Sequence, residues 1–198
     1  MADSLFNMEE DKDVQLMLAY AQGNERAFHT LYEKYKRPLF SWIYRMVPKE
    51  AVAEELAQEV FLRVYRARYT YRPKAKFKTW LYTIAAHLAF NELRHNKNFV
   101  EGEVHHGNEE GDPMINIPSQ TPSQIEQMEA QQLIKMINQL LAQVGERQKA
   151  ALLFRYFEDL SHEEIGKILN MKVGAVKSLL HRGLETLEVL LRKKGREI

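Results

Sequence analysis

Apolar side chains recur at spacings of three and four through nearly all of this 198-residue chain, and no stretch alternates polar with apolar for long enough to form a strand. Phe28, Leu31, Tyr32, Tyr35, Leu39, Ile43 and Met46 make one stripe; Ala53, Leu56, Val60, Val64 and Ala67 a second; Phe77, Trp80, Leu81, Ile84 and Leu88 a third. Each stripe is one face of an amphipathic helix, which must bury that face against a neighbour. An all-α fold follows. Pro38 falls inside the first stripe, where its missing backbone donor predicts a kink or break.

From Asn98 to Thr121 the spacing stops. Gly102, Gly107, Gly111, Pro113, Pro118 and Pro122 punctuate a polar, acidic stretch, the composition of a flexible linker. Helical spacing resumes at Ile125 and runs through Leu133, Ile137, Leu140, Leu141 and Val144, with Gly145 as its stop. Leu152, Leu153, Tyr156 and Phe157 belong to the next helix. Ser161-His162-Glu163-Glu164 fits a capping box, with Ile165, Ile168 and Leu169 as the buried face behind it. Val173, Val176, Leu180, Leu184, Leu187 and Leu191 mark the last helix. The pattern predicts two small helical domains joined by a flexible acidic linker.

The formal net charge of +1 hides a segregated pattern. Arg63, Arg66, Arg68, Arg72, Lys74, Lys76 and Lys78 follow one another with no Asp or Glu between them, interleaved with Tyr65, Tyr69, Tyr71, Phe77 and Trp80. Cations track a phosphate backbone, and flat rings offer faces to unstacked bases at ~1–3 kcal/mol each. Phe77 and Trp80 lie on a buried stripe; Tyr69 and Tyr71 do not, and flank Pro73 in a loop beside Arg72, Lys74 and Lys76. Those two rings are the expected holders of an extruded base. A chain without cysteine forms no disulfide and no thiolate metal site. It has no apolar run of about 18 residues, and its N-terminus lacks a basic segment followed by an apolar core, so a cytoplasmic location is expected.

The second constellation is C-terminal. A short capped helix from Ser161 to Leu169, a tight turn and a helix from about Val173 have helix-turn-helix proportions. With Val173, Val176 and Leu180 buried, Lys177, Ser178, His181 and Arg182 face outward together, as donors to phosphates and base edges in a major groove. One such contact set gives weak binding alone and calls for a partner or a second contact.

Two ordered motif blocks carry a resemblance. Ala27-Phe28, Leu31-Tyr32, Ala53-Glu54-Glu55-Leu56-Ala57-Gln58-Glu59-Val60-Phe61-Leu62 and Phe77-Lys78-Thr79-Trp80-Leu81-Tyr82-Thr83-Ile84-Ala85 resemble region 2 of the bacterial sigma-70 family, in its extracytoplasmic-function (ECF, group four) branch. Leu160-Ser161-His162-Glu163-Glu164-Ile165-Gly166, Val173-Gly174-Ala175-Val176-Lys177-Ser178 and His181-Arg182 resemble region 4. The resemblance implies residues 1–97 as region 2, 98–125 as the acidic linker and 126–198 as region 4.

It also implies a transcription initiation factor that binds core RNA polymerase. Region 2 would sit on the β′ coiled coil through Glu55, Gln58, Glu59 and Leu62, and region 4 on the β flap. The −10 element of promoter DNA would be met by Arg66, Tyr69, Tyr71, Arg72, Lys74, Lys76, Lys78, Trp80, Thr83 and His87. The −35 element would be met by Lys177, Ser178, His181 and Arg182, and an anti-sigma protein is an implied partner. The chain departs from the family at His87 (usually Asn), Ala175 (Thr), Leu179 (Arg) and Gly183 (Ala), so promoter sequence does not transfer.

No enzyme emerges. His162-Glu163-Glu164 lacks the second His of a zinc protease, and Gly166-Lys167 lacks the upstream Gly of a phosphate loop. His105-His106 sits in an acidic stretch where solvation is the expectation, so neither metal nor cofactor is expected. The alternative is a free-standing helix-turn-helix regulator with an N-terminal dimerisation or sensing domain. A pure interaction scaffold is disfavoured by the cations between Arg63 and Lys78, which read as unpaired.

Overall fold

The computed structural model describes residues 10–99 and 136–194. It contains α1 (Lys12–Ala21), α2 (Glu25–Met46), α3 (Glu50–Arg66), a 3₁₀ turn (Ala67–Tyr69), α4 (Phe77–Phe99), α5 (136–142), α6 (Glu146–Tyr156), α7 (His162–Leu169) and α8 (Val173–Lys194). Among the described residues there is no strand. The helix α4 continues to Phe99, beyond the expected boundary at 97. The rest of the linker, His105-His106 included, lies outside the described residues.

α1 escaped the sequence reading, although its signal is present. Asp11 caps it, its carboxylate accepting from the Asp13 and Val14 amides at 2.9 and 3.2 Å, and Val14, Met17 and Tyr20 recur at spacing three and are fully buried. The same carboxylate accepts from the Phe77 amide, at 3.2 Å. One side chain therefore serves the first turns of both α1 and α4. Asp13 is held by Lys34 Nζ at 2.6 Å and by the Tyr35 hydroxyl at 2.5 Å, which fastens α1 to α2.

Pro38 does not break α2, which runs unbroken from Glu25 to Met46. The proline forfeits one backbone hydrogen bond. Tyr35, Leu39, Trp42 and Ile43 are buried on either side of it, so packing rather than the backbone ladder holds the helix there. Gly145, expected as a helix stop, instead stands at the N-cap of α6. In the C-terminal half Ser161 and Glu164 form the expected capping box, and Asn170 ends α7 in the left-handed conformation at φ 51°. A Cβ on Gly166 would lie 2.7 Å from the Met171 carbonyl oxygen, so α7 meets the turn closely enough to require glycine there.

The two halves pack against each other. α4 lies along α7 and α2 touches α6, and the buried apolar residues form one continuous cluster across both. At its centre the Trp42 and Phe154 rings stack, 4.7 Å between centroids and 10° apart, with Tyr82 edge-on to both. Burying side chains of this size stabilises by about 1.5–3 kcal/mol each.

Candidate nucleic-acid interface

The basic-aromatic stretch resolves into three kinds of residue. Some of its cations are structural. Arg68 donates to Glu25 Oε1 at 2.8 Å and lies over the Tyr20 and Tyr69 rings, 4.7 and 5.3 Å from their centroids; Arg63 pairs with Glu59 at 2.8 Å. The rings divide as well. Tyr69 is 74% exposed, whereas Tyr71 is 6% exposed and packs against Trp80 at 4.8 Å and Phe77 at 6.5 Å. The expectation that both tyrosines stand free in the loop holds only for Tyr69. Tyr71 is drawn inward because its amide bonds back to the Ala67 carbonyl at 2.8 Å, which turns the chain over the start of α4. Burial pushes its hydroxyl above the ordinary tyrosine range.

The third kind is available to a ligand. Arg66, Arg72 and Lys74 are exposed, and on α4 Trp80 and Thr83 are partly exposed and His87 is exposed. Their spacings of three and four set them along one side of the helix. Thr83 donates its hydroxyl to the Thr79 carbonyl at 2.8 Å, leaving oxygen lone pairs for a further donor. Lys76 and Lys78 are engaged: Lys76 with Glu164 at 3.1 Å, Lys78 with the Glu158 carboxylate at 3.1 Å and its carbonyl at 2.6 Å. Arg63, Arg68, Lys76 and Lys78 are thus paired, against the expectation of unpaired cations.

On α3 the expected polymerase-facing residues share the side away from the core. Glu55, Gln58 and Leu62 are exposed and Glu59 is partly so. The sequence reading passed over their apolar neighbours. Tyr32, which packs edge-on against Phe61 at 4.8 Å, and Tyr65, 5.8 Å from Phe28, both remain substantially exposed, as Leu62 does. Carboxylates bordering exposed rings and a leucine suit a protein partner with basic and apolar character.

On α8 Val176 and Leu180 are buried and Val173 partly so, leaving Lys177, Ser178, His181 and Arg182 exposed together. Arg182 Nε donates to the Ser178 carbonyl at 3.3 Å and His181 Nε2 lies 3.3 Å from Glu185. Leu179, between these donors in sequence, is buried and serves the core. Gly183 lets α8 approach α6: a Cβ there would meet Leu152 Cδ1 at 3.1 Å.

Two polar groups at the junction of the halves were not foreseen. Glu158 is 6% exposed, and burial pushes its carboxyl up from its ordinary value, against Tyr82, Lys78 and Arg45, which favour the charged form. Burial pushes the Lys149 ammonium down to about 8; it donates to the Met46 carbonyl at 3.4 Å. These partners are 80 and 103 residues apart, a separation at which local spacing carries no signal. No cluster of His, Asp or Glu among the described residues could hold a metal ion, and none of the described helices is long and apolar enough to cross a membrane.

An exposed acidic and apolar face, a basic-aromatic loop and a helix-turn-helix follow one another in this order along the chain. Two family models match, sigma-70 region 2 over residues 31–99 and sigma-70, region 4 over residues 134–187. The chain is 32% identical to the ECF RNA polymerase sigma factor SigW of Bacillus subtilis over 86% of its length and 92% of that protein's. It is 31% identical to the RNA polymerase sigma-H factor of Pseudomonas aeruginosa over 96% and 99%. Among solved structures it shares the fold of CnrH, in complex with the cytosolic domain of CnrY, with a TM-score of 0.67 at 17% identity, covering 90% of this chain and 96% of that one. The chain belongs to the sigma-70 family, among its ECF RNA polymerase sigma factors, and it directs core RNA polymerase to promoter DNA.

Proposed function

We propose that this sigma factor divides promoter recognition between its halves at the residues described above, as a group four member acting in the bacterial cytoplasm. Residues 1–97 serve as region 2, 98–125 as linker and 126–198 as region 4. The α3 face of Glu55, Gln58, Glu59 and Leu62, extended by Tyr32 and Tyr65, docks on the β′ coiled coil, where carboxylates meet basic residues and the exposed rings and leucine supply apolar area. The 67–76 loop and α4 take the −10 element. Tyr69 stacks on an extruded base while Arg66, Arg72, Lys74, Lys76 and Lys78 follow the backbone; Trp80, Thr83 and His87 meet the non-template strand. Tyr71 acts from beneath, as the buried floor of Trp80.

Region 4 sits on the β flap and presents Lys177, Ser178, His181 and Arg182 to the −35 element, in the major groove. The protein performs no chemistry itself; bond formation belongs to the polymerase. An anti-sigma protein that covers these faces is the expected negative regulator. The solved sigma factor RpoE of Bartonella quintana, which shares this fold with a TM-score of 0.64 at 18% identity, is in complex with the anti-sigma factor NepR.

The observation that carries this reading is the exposure of two separate sets of DNA-suited donors, one on each half, beside a third face suited to protein. Run-off transcription with purified core polymerase on a randomised promoter library tests it. Selected promoters should share two elements a fixed distance apart. Tight binding to palindromic duplex sites without polymerase would instead establish the free-standing regulator.

A further inference from the structure

Tyr69, the ring assigned to an extruded −10 base, is held from behind. The guanidinium of Arg68 lies over its ring, 5.3 Å from the centroid, and over the ring of Tyr20, at 4.7 Å. Tyr20 belongs to α1 and is fully buried, whereas Tyr69 is 74% exposed, so the series runs from core to surface. Two further contacts fix the guanidinium. Its Nη1 donates to Glu25 Oε1, in the first turn of α2, at 2.8 Å. Gly23 brings the α1–α2 turn against it at φ 108°, a conformation glycine adopts freely, and a Cβ there would lie 3.6 Å from Nη2. Arg68 Nε is enclosed with no hydrogen-bond partner among the described residues. Ring faces and one carboxylate therefore set the plane of the group.

A cation meant for phosphate stands in solvent, as Arg66, Arg72 and Lys74 do. The Arg68 side chain is 18% exposed, and its ion pair with a carboxylate side chain that is 63% exposed adds little stability by itself. What the arrangement does provide is a fixed platform. We infer that Arg68 is a positioning residue for promoter opening: clasped by Tyr20, Glu25 and the Gly23 turn, its guanidinium fixes the ring of Tyr69 and leaves the outer face of that ring ready for the extruded base. The inference deepens the proposed function and rests on its assignment of Tyr69. A mobile ring gives up rotamer freedom when a base stacks on it. A ring already held by the fold has given up that freedom beforehand, a difference of about two- to tenfold in capture. Arginine is required for this role. Lysine keeps the charge and the apolar stem, but an ammonium has no flat faces to offer to two rings.

R68K is therefore the discriminating variant. Holoenzyme is assembled from core polymerase and the parent, R68K, Y69A or R68K/Y69A chain. Each is mixed, over a range of concentrations, with a promoter from the run-off selection that carries a fluorescent purine analogue in its −10 non-template strand. The signal at saturation gives the opening rate, and its concentration dependence gives the affinity of the initial complex. Fluorine resonance of the full free chain with fluorotyrosine installed at position 69 reads the ring itself, and urea unfolding reads the fold. R68K should slow opening about fivefold, with the initial affinity and the unfolding midpoint unchanged. It should also move the fluorine line towards the position of a freely rotating tyrosine. In the Y69A background R68K should change the rate by less than about twofold, because Arg68 acts through that ring alone.

An R68K rate equal to the parent's overturns the inference, since any cation would then suffice. So does a fluorine line that R68K leaves in place, or a loss that persists in full on Y69A, which would put Arg68 on the DNA or in the fold at large. The Y69A chain separates the two levels. Opening by Y69A at the parent's rate, with the fluorine line still moved by R68K, sinks the assignment of Tyr69 to the base. A slow Y69A beside a normal R68K spares that assignment and sinks the positioning role.

Discussion

Replacing Gly166 by alanine probes the closest approach in the helix-turn-helix. The added Cβ would lie 2.7 Å from the Met171 carbonyl oxygen, a backbone atom that cannot swing aside. Relief requires α7 and the turn to separate by several tenths of an ångström. That movement strains the 2.8 Å bond from the Met171 amide to the Gly166 carbonyl, which closes the turn. Overpacking of this kind costs ~1–3 kcal/mol, and the rigid partner favours the upper part of that range. Strain on the turn's hydrogen bond adds up to about 1 kcal/mol, and alanine's helix propensity returns about 1 kcal/mol. The expected net loss is ~1–3 kcal/mol. Gly183→Ala is the internal comparison, since its Cβ would meet Leu152 Cδ1 at 3.1 Å, the end of a side chain that can shift. There the propensity gain offsets the crowding, and the change should stay within about 1 kcal/mol. Urea unfolding of the full chain by far-ultraviolet circular dichroism reads both. With a slope of about 2 kcal/mol per molar, Gly166→Ala should lower the midpoint by roughly 1 M and Gly183→Ala should barely move it. A Gly166→Ala midpoint at or above that of Gly183→Ala refutes the packing described for the turn.

The two loop tyrosines should separate cleanly. Tyr71→Ala should cost about 3 kcal/mol of stability through the cavity under Trp80, whereas Tyr69→Ala should leave unfolding unchanged and slow promoter opening, as followed with potassium permanganate on promoter complexes. Lys149 gives a pH signature. Its folded value, about 8 against 10.5, means that the folded chain sheds a proton while the unfolded chain still holds one. Stability relative to Lys149→Met should therefore rise between about pH 8 and pH 10.5, and a flat difference across that window removes the buried ammonium from the account. Arg182→Ala should weaken polymerase-dependent binding upstream and reduce the salt slope of DNA binding by roughly 1; an unchanged slope takes Arg182 off the phosphate list.

The parts of this structure visible in the sequence are those written at spacings of three and four. The stripes of α2, α3 and α4, the Ser161 capping box and the outward donors of α8 all rest on residues within two turns of one another. The failures have equally physical causes. Pro38 reads as a kink or a break because sequence shows the lost hydrogen bond but not the buried Tyr35 and Trp42 that carry the helix through without a break. Tyr71 reads as a free ring because its burial depends on a bond to Ala67 and on Trp80 closing over it from the next helix. The pairing of Lys78 with Glu158 spans 80 residues and is set by how two helical layers meet. Charge composition marked Lys76 and Lys78 as cations and could not say that a carboxylate already faces each of them.

Asp11 has a practical consequence. Because its one carboxylate receives amides from both Asp13 and Phe77, the first turns of α1 and α4 share a single hinge pin. Trimming the chain through that aspartate, or fusing a stiff purification handle directly onto it, should disturb the start of α4 from more than sixty residues away, and a recombinant preparation intended for footprinting is best tagged at the opposite terminus.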